Sequence, residues 1–188
     1  CLDICKSVAH AGFDRILIVD GHGSNEHLCE FIARRATLET DALFASTMWT
    51  NLVVEVFEEI RESGSGGAAH ACELETSAYL YLDASRVQME KAVDHYGGAA
   101  GKEGSSFTSV DLTKGWGPVK VVQWTSGATP HGVSGASTLA TKEKGQRIID
   151  AAAENLLGFI REFRSMEKAK RTDHRAVKPG LPTLPSVD

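Results

Sequence analysis

The most constraining feature of the sequence is a short apolar run that leads into a histidine flanked by glycines. Residues 16–19 are Ile-Leu-Ile-Val, and they are followed directly by Asp20-Gly21-His22-Gly23-Ser24-Asn25. Such a run with β-branched members is typical of a strand buried on both faces of a parallel sheet. Glycine tolerates positive φ and lets the backbone pass close to a ligand. The sequence therefore predicts a buried strand that ends in a tight turn carrying His22.

The segment after this turn has helical spacing, with apolar Leu28, Ile32 and Ala33 within residues 26–35. Strand, turn and helix thus follow one another, and open α/β sheets bind ligands at the carboxyl ends of their strands. His22 would lie at such an end. The alternative is that Asp20 and His22 only satisfy each other's hydrogen bonds within the turn. The motif alone favours the ligand-binding interpretation by a small margin.

The remaining pattern predicts one domain over residues 1–166. We expect helices over residues 1–11, 52–60, 72–82 and 141–166, and further strands over residues 42–48 and 119–124. This alternation predicts an α/β fold with three α/β/α layers and a mostly parallel sheet. Residues 63–67 should be flexible, residues 92–118 a glycine-rich excursion or lid, and residues 125–137 a second glycine-rich loop. The proline-containing tail, residues 167–188, should be disordered or laid across a neighbouring subunit.

Composition narrows the classes of partner. The formal charge of −5 and the pI near 5.8 give no electrostatic reason to expect nucleic acid. No apolar run approaches the roughly 20 residues of a membrane span, and no secretory signal is recognisable. The four cysteines form no C-x-x-C pair, so we expect reduced thiols in a cytoplasmic protein.

A second candidate segment is His70-Ala71-Cys72-Glu73-Leu74-Glu75-Thr76-Ser77. If a helix begins near Cys72, Glu75 lies inside it and His70 in the loop before it. Zinc and manganese accept imidazole and carboxylate ligands, and a histidine near neutrality can move protons. Alternatively, both glutamates only place negative charge in the first turn of a helix. We favour that alternative for Glu73. For Glu75, the spacing favours neither the metal ligand nor the helix-end charge.

Three further residues are weaker candidates for substrate binding. His131 lies in the glycine-rich loop, where the alternative is a surface position. Trp49 follows a predicted strand end and could line the site, although the tryptophans Trp49, Trp116 and Trp124 are equally able to be core anchors or pocket walls. Ser24 belongs to the turn after the first strand. The remaining histidines, at positions 10, 27, 95 and 174, carry no signal.

Together these segments resemble the creatininase family of metal-dependent amidohydrolases. The matching pieces, in order, are Gly12-Phe13, residues 16–25, residues 70–77, and residues 132–135 with 138–145. Three separated motifs in the right order form a far more specific signal than a single Gly-His-Gly. The resemblance implies a creatininase-like α/β/α fold, a binuclear Zn²⁺ or Mn²⁺ site with a bridging water, and a homo-oligomer, commonly a hexamer.

The resemblance also implies residue roles. His22 and Glu75 fall on family metal ligands, and His70 falls on a histidine that acts in catalysis. The bridging hydroxide would attack an amide-type carbonyl, with His70 handling protons. Ser24 stands where the creatinine hydrolases carry a metal-binding glutamate, and the tryptophan that those enzymes place before the catalytic histidine is replaced by residues 63–67. These departures argue against creatinine as the substrate.

The other family ligands belong to a segment that precedes everything in this chain. Two ligands are too few for a catalytic metal site, and we therefore expect sequence upstream of Cys1. The leading hypothesis is a metal-dependent hydrolase of a C–N bond in a small cyclic or formyl amide. The competing hypothesis is a non-catalytic creatininase-like domain with an incomplete metal site, acting in assembly or binding.

Overall fold

The structure is a computed structural model that describes residues 1–96, 105 and 107–170. Helices and strands alternate through most of this part of the chain. In order, they are α1 (Leu2–His10), β1 (Arg15–Asp20), α2 (Glu26–Glu39), β2 (Leu43–Met48), α3 (Val54–Ile60), β3 (Ala68–His70), α4 (Glu73–Asp83), β4 (Asp94–His95), β5 (Val110–Asp111), β6 (Gly115–Trp116), α5 (Thr125–Ala128), β7 (Ser134–Ala136) and α6 (Lys142–Ser165).

The first half of the chain forms the strand–helix–strand unit that the opening motif predicts. β1 and β2 pair in parallel along their whole lengths, with Asp20 beside Met48. α2 connects them, ends at Glu39 rather than near residue 35, and packs on α1 and both strands. The prediction that β1 is buried on both faces is wrong, because Val19 is 47% exposed. β1 belongs to a two-stranded sheet with β2. The helices and strands enclose a small core of Cys5, Ile32 and Ala36.

The other strands are short and antiparallel. β7 lies between β3 and β4 and pairs antiparallel with both, and β5 forms a hairpin with β6. The predicted α/β character is confirmed, whereas a parallel arrangement is confined, in the part of the chain described, to β1 and β2. Antiparallel strands can be joined by a short turn, as β5 and β6 are. β3 and β4, in contrast, reach β7 from distant parts of the sequence.

The main core lies beneath α4 and α6. Its buried side chains include Phe57, Leu74 and Ile148. α6 begins after Thr141, whose hydroxyl accepts a hydrogen bond from Lys144 N at 3.2 Å, as the predicted N-cap requires. The apolar stripe of α6 is buried only in part, since Ile160 is 38% exposed.

One local prediction is wrong: residues 119–124 form no strand, and Val122 is 95% exposed. The flexibility expected of residues 63–67 stays a prediction; within them, Ser63 is buried and its backbone N–H donates to Glu73 Oε2 at 2.9 Å. The predicted helix over residues 52–60 is divided into a 3-10 helix, Trp49–Leu52, and α3.

Two predictions reach beyond the described residues. Within the predicted lid over residues 92–118, β4, β5 and β6 are described, and residues 97–104 and 106 lie outside the description. Residues 171–188 of the predicted tail also lie outside it. None of the described helices combines the length and apolarity needed to cross a bilayer.

Candidate active site

A pocket of about 320 Å³ lies where β1, β3 and α4 meet. Four of the residues predicted from sequence line it, and they come from separate parts of the fold. His22 follows β1, Ser24 belongs to the 3-10 helix Gly23–Asn25, His70 ends β3, and Glu75 lies in the first turn of α4. The structure thus brings together residues that are up to 53 positions apart in the sequence.

The turn after β1 holds His22 at the rim of this pocket. Its backbone N–H donates to Asp20 Oδ1 at 3.1 Å, so the Asp–His contact that sequence reasoning considered is made through the backbone and leaves the imidazole available. Asp20 Oδ2 is buried without a hydrogen-bond partner. Gly23 packs closely on β2, because a Cβ there would lie 3.2 Å from Met48 Cε.

The connection between β3 and α4 orients the other two groups. Ala71 has a φ of +46°, in the left-handed region that residues with a side chain rarely adopt. Its backbone N–H donates to Glu75 Oε2 at 2.6 Å. The His70 and His22 rings meet edge to face, with centroids 6.1 Å apart and an angle of 77° between the planes. Two imidazoles and one carboxylate therefore face a shared space.

Cys72 adjoins this group but is not a nucleophile. Burial, and secondarily the negative charge of Glu75, raises the pKa of the Cys72 thiol to about 12. A buried thiol that stays protonated at neutral pH is a poor nucleophile towards a carbonyl. The chemistry of the pocket therefore falls to the histidines and Glu75.

The donor types match a divalent metal, but the donor number does not. Imidazole and carboxylate are the ligands that Zn²⁺ and Mn²⁺ take. Among residues 1–96, 105 and 107–170, however, no group of three His, Cys, Asp or Glu side chains is arranged to hold a metal ion. His22 and Glu75 could supply only part of a coordination shell.

Two predicted substrate-binding residues lie outside the pocket lining. Trp49 packs against the main core, and His131 contacts the His95 ring at a centroid distance of 6.3 Å. Sequence reasoning offered Trp116 as a core anchor or a pocket wall, and it lines the pocket, but the neighbouring Leu112, Val121 and Val122 were missed. The available signal was the density of apolar residues from Trp116 to Trp124 in an otherwise glycine-rich region.

A larger cavity, of about 660 Å³, lies at the opposite end of the β1–β2 sheet. It is lined by residues before the two strands, including Asp14 and Ala42, and by the charged residues Lys6, Glu39 and Lys168. Ligands of α/β sheets bind at the carboxyl ends of the strands, and Lys6 and Glu39 already pair with each other at 2.7 Å. The smaller pocket is therefore the candidate active site.

Comparison with known proteins identifies the family of the chain. A family model described as creatinine amidohydrolase matches residues 1–160. The chain belongs to the creatininase family. A curated relative, the 3-dehydro-scyllo-inosose hydrolase of Thermotoga maritima, is 27% identical over 166 residues, which cover 82% of this chain and 52% of the relative. The chain thus spans about half the length of that hydrolase.

Solved structures show the same fold. A protein of Bacteroides fragilis NCTC 9343, solved as a provisional creatinine amidohydrolase, has a TM-score of 0.67 and 24% identity, covering 89% of this chain and 61% of that one. A manganese creatininase and a mutant creatininase of Zn–Zn type each have a TM-score of 0.60, with 20% and 19% identity. Each comparison covers 86% of this chain, with 61% of the manganese protein and 60% of the Zn–Zn protein. The creatininase-like fold is therefore shown.

Proposed function

We propose that this creatininase-family chain is part of a metal-dependent amidohydrolase that cleaves a C–N bond of a small cyclic or formyl amide. The observation that carries the proposal is the convergence of His22, His70 and Glu75 on one pocket. The family and the hydrolase relative support a hydrolytic reaction. The manganese and Zn–Zn creatininases support a divalent metal.

The positions of His22, Glu75 and His70 suggest different roles for them, as metal ligands and as a proton-transfer residue. His22 and Glu75 would supply an imidazole and a carboxylate to a divalent metal, and that metal would activate water and polarise a carbonyl. Its remaining ligands would come from outside the described residues. A ring nitrogen of His70, at the end of β3, takes up or delivers the proton that the leaving nitrogen needs.

The proposal extends to the substrate, the cellular location and the oligomeric state. The curated relative is named for a substrate other than creatinine, which agrees with Ser24 in place of the glutamate of the creatinine hydrolases. We propose an amide other than creatinine, a cytoplasmic location and a homo-oligomeric assembly. A lactone or a short peptide is the alternative substrate within the same chemistry.

Metal analysis combined with a hydrolysis panel tests the proposal. The complete polypeptide should contain zinc or manganese and hydrolyse at least one cyclic or formyl amide. His70→Ala should keep its metal while kcat falls by roughly 10²–10⁴-fold, whereas Glu75→Ala should lose metal. His131→Ala is the matched control, because it removes an exposed imidazole outside the pocket.

The competing function is a non-catalytic binding or assembly domain. It would be favoured if the complete polypeptide, with all upstream sequence present, bound neither metal and hydrolysed nothing in the panel. Equal metal loss in His70→Ala and Glu75→Ala would contradict the division of roles between these two residues.

A further inference from the structure

One side of the pocket is an apolar wall formed by Leu112, Trp116 and Val121, with Val122, which is 95% exposed, at its outer edge. Leu112 follows β5, and Trp116 ends β6. The two valines lie in the segment before α5. His22, His70 and Glu75 line the same pocket, so one cavity combines a cluster of ionisable groups with an apolar surface.

The inner part of this wall is held in place by a buried ion pair. Arg61 Nη2 contacts Asp111 Oδ2 at 2.9 Å, and only 5% and 4% of the two side chains are exposed. Burial would raise the pKa of Asp111, but the guanidinium of Arg61 holds that pKa below its ordinary value. The adjacent Leu112 donates its backbone N–H to Ala68 O at 2.7 Å, so the wall is anchored to β3.

The charges around the wall are few. Glu75 is the carboxylate among the described lining residues, and no lysine or arginine belongs to that described lining. The nearby cation is Lys120, whose Nζ lies 5.2 Å from the centroid of the Trp116 ring and contacts His27 Nε2. A ligand group placed against the wall therefore meets hydrocarbon and an aromatic ring.

We propose that the substrate is an amide whose part remote from the scissile bond is uncharged and apolar, and that the apolar wall selects it. This inference rests on the proposed function for the orientation of the amide towards His22, His70 and Glu75. Contact with Leu112, Trp116, Val121 and Val122 removes apolar surface from water, which favours binding. A carboxylate in the same place would lose part of its hydration and would meet no lysine or arginine within the described lining.

Equilibrium binding of a matched probe pair tests the inference without relying on turnover. The probes are N-benzylacetamide and 4-(acetamidomethyl)benzoate, which differ by one carboxylate at the end remote from the amide. Calorimetric titration of the protein, with and without added Zn²⁺, should give a dissociation constant roughly tenfold or more lower for the neutral probe.

Paired tryptophan variants assign this preference to the wall. Trp116→Ala should weaken binding of the neutral probe by roughly tenfold. Trp124→Ala, which removes a tryptophan that is 88% exposed and outside the pocket lining, should leave binding unchanged. Equal effects of the two substitutions would overturn the inference.

The remaining outcomes are equally decisive. Equal or tighter binding of the carboxylate, or no binding of either probe, would overturn the inference. Tighter carboxylate binding that disappears in Lys120→Gln would assign an anion-binding role to Lys120 instead. If the neutral preference and the Trp116 effect hold while no amide in the panel is hydrolysed, the proposed function fails and the apolar specificity of the pocket stands.

Discussion

The two sides of α4 show how one residue type serves two purposes. Glu73 and Glu75 lie in the same first turn, two positions apart. Glu73 is fully buried and accepts hydrogen bonds from Glu62 N, Ser63 N and Lys144 Nζ at 3.0, 2.9 and 2.6 Å. Glu75 is half-buried, lines the pocket and accepts a hydrogen bond from Ala71 N.

The two glutamates therefore have different roles. We call the side of α4 that carries Glu73 the scaffold side and the side that carries Glu75 the pocket side. Burial would raise the pKa of Glu73, but the hydrogen bonds from Lys144 and Ser63 hold that pKa below its ordinary value. Its oxygens are therefore occupied, and the carboxylate fastens α4 to α6 and to the loop after α3. Glu75 retains acceptor capacity towards the pocket. A carboxylate available for a ligand is the one that the surrounding backbone has not already saturated.

Breaking the scaffold side should have the largest effect. Glu73→Gln leaves the buried Lys144 ammonium without its buried carboxylate, and we expect a loss of about 3–5 kcal/mol in the free energy of unfolding. Urea denaturation measures it. Glu62→Gln is the control, because the Glu62 side chain is 65% exposed at the same ammonium, and it should cost about 1 kcal/mol or less. Similar losses in both variants would refute the contrast.

Packing on the same side of α4 predicts the next effect. A Cβ at Gly145 would lie 1.9 Å from the Ser77 carbonyl oxygen of α4, whereas one at Gly158 would meet open space. Gly145→Ala should therefore destabilise by about 1–3 kcal/mol or more through overpacking. Gly158→Ala, in the same helix, should stabilise by about 0.5–1 kcal/mol. Thermal unfolding of the two variants side by side measures the difference, and equal shifts would contradict the close helix contact.

Acid should lower the free energy of unfolding by protonating Glu73 on the scaffold side. This loss should be smaller than the losses caused by Glu73→Gln and Gly145→Ala, because the packing stays intact. The folded-state pKa of Glu73 lies below its unfolded value. The stability it contributes is therefore fully present above the unfolded pKa, near 4.5, and is lost as the pH falls through the folded pKa. Urea unfolding from pH 6 to pH 3 should show a smaller acid loss in Glu73→Gln than in the unsubstituted protein. Parallel curves would show that Glu73 does not contribute.

Local signals were sufficient for the long elements of the fold. The apolar run before Asp20 and the helical spacing after Thr141 predicted β1 and α6 because each pattern lies within one element. The strand predicted over residues 119–124 failed because alternation alone cannot supply a neighbouring strand. Short β3 and β7 escaped prediction because three residues carry too little periodicity.

The site was predictable only in part, for the same reason. The strand-end motif already favoured His22 slightly as a ligand-binding residue. Spacing left Glu75 undecided between a helix-end charge and a ligand, and the family resemblance assigned both residues as metal ligands. The pocket they share brings the turn after β1 close to the first turn of α4 in the tertiary structure, and no local pattern encodes that proximity. Apart from Trp116, the apolar wall was missed because Leu112 and the two valines lie outside regular helices and strands, where periodicity gives no signal.

The smallest predicted effect concerns the backbone that presents Glu75. Ala71 adopts a φ of +46°, and glycine at that position relieves a conformation that costs a residue with a side chain roughly 1–2 kcal/mol. After the extra entropy loss of glycine, Ala71→Gly should stabilise by about 0.5 kcal/mol. Ala69→Gly, within β3, is the control and should destabilise by about 0.5–1 kcal/mol. Because Ala71 bonds Glu75 through its backbone N–H, the glycine variant should keep the carboxylate in place and bind the neutral probe unchanged. If Ala71→Gly destabilised the protein as much as Ala69→Gly, the backbone at Ala71 would carry no strain. The pocket side of α4 would then be held as firmly as the scaffold side.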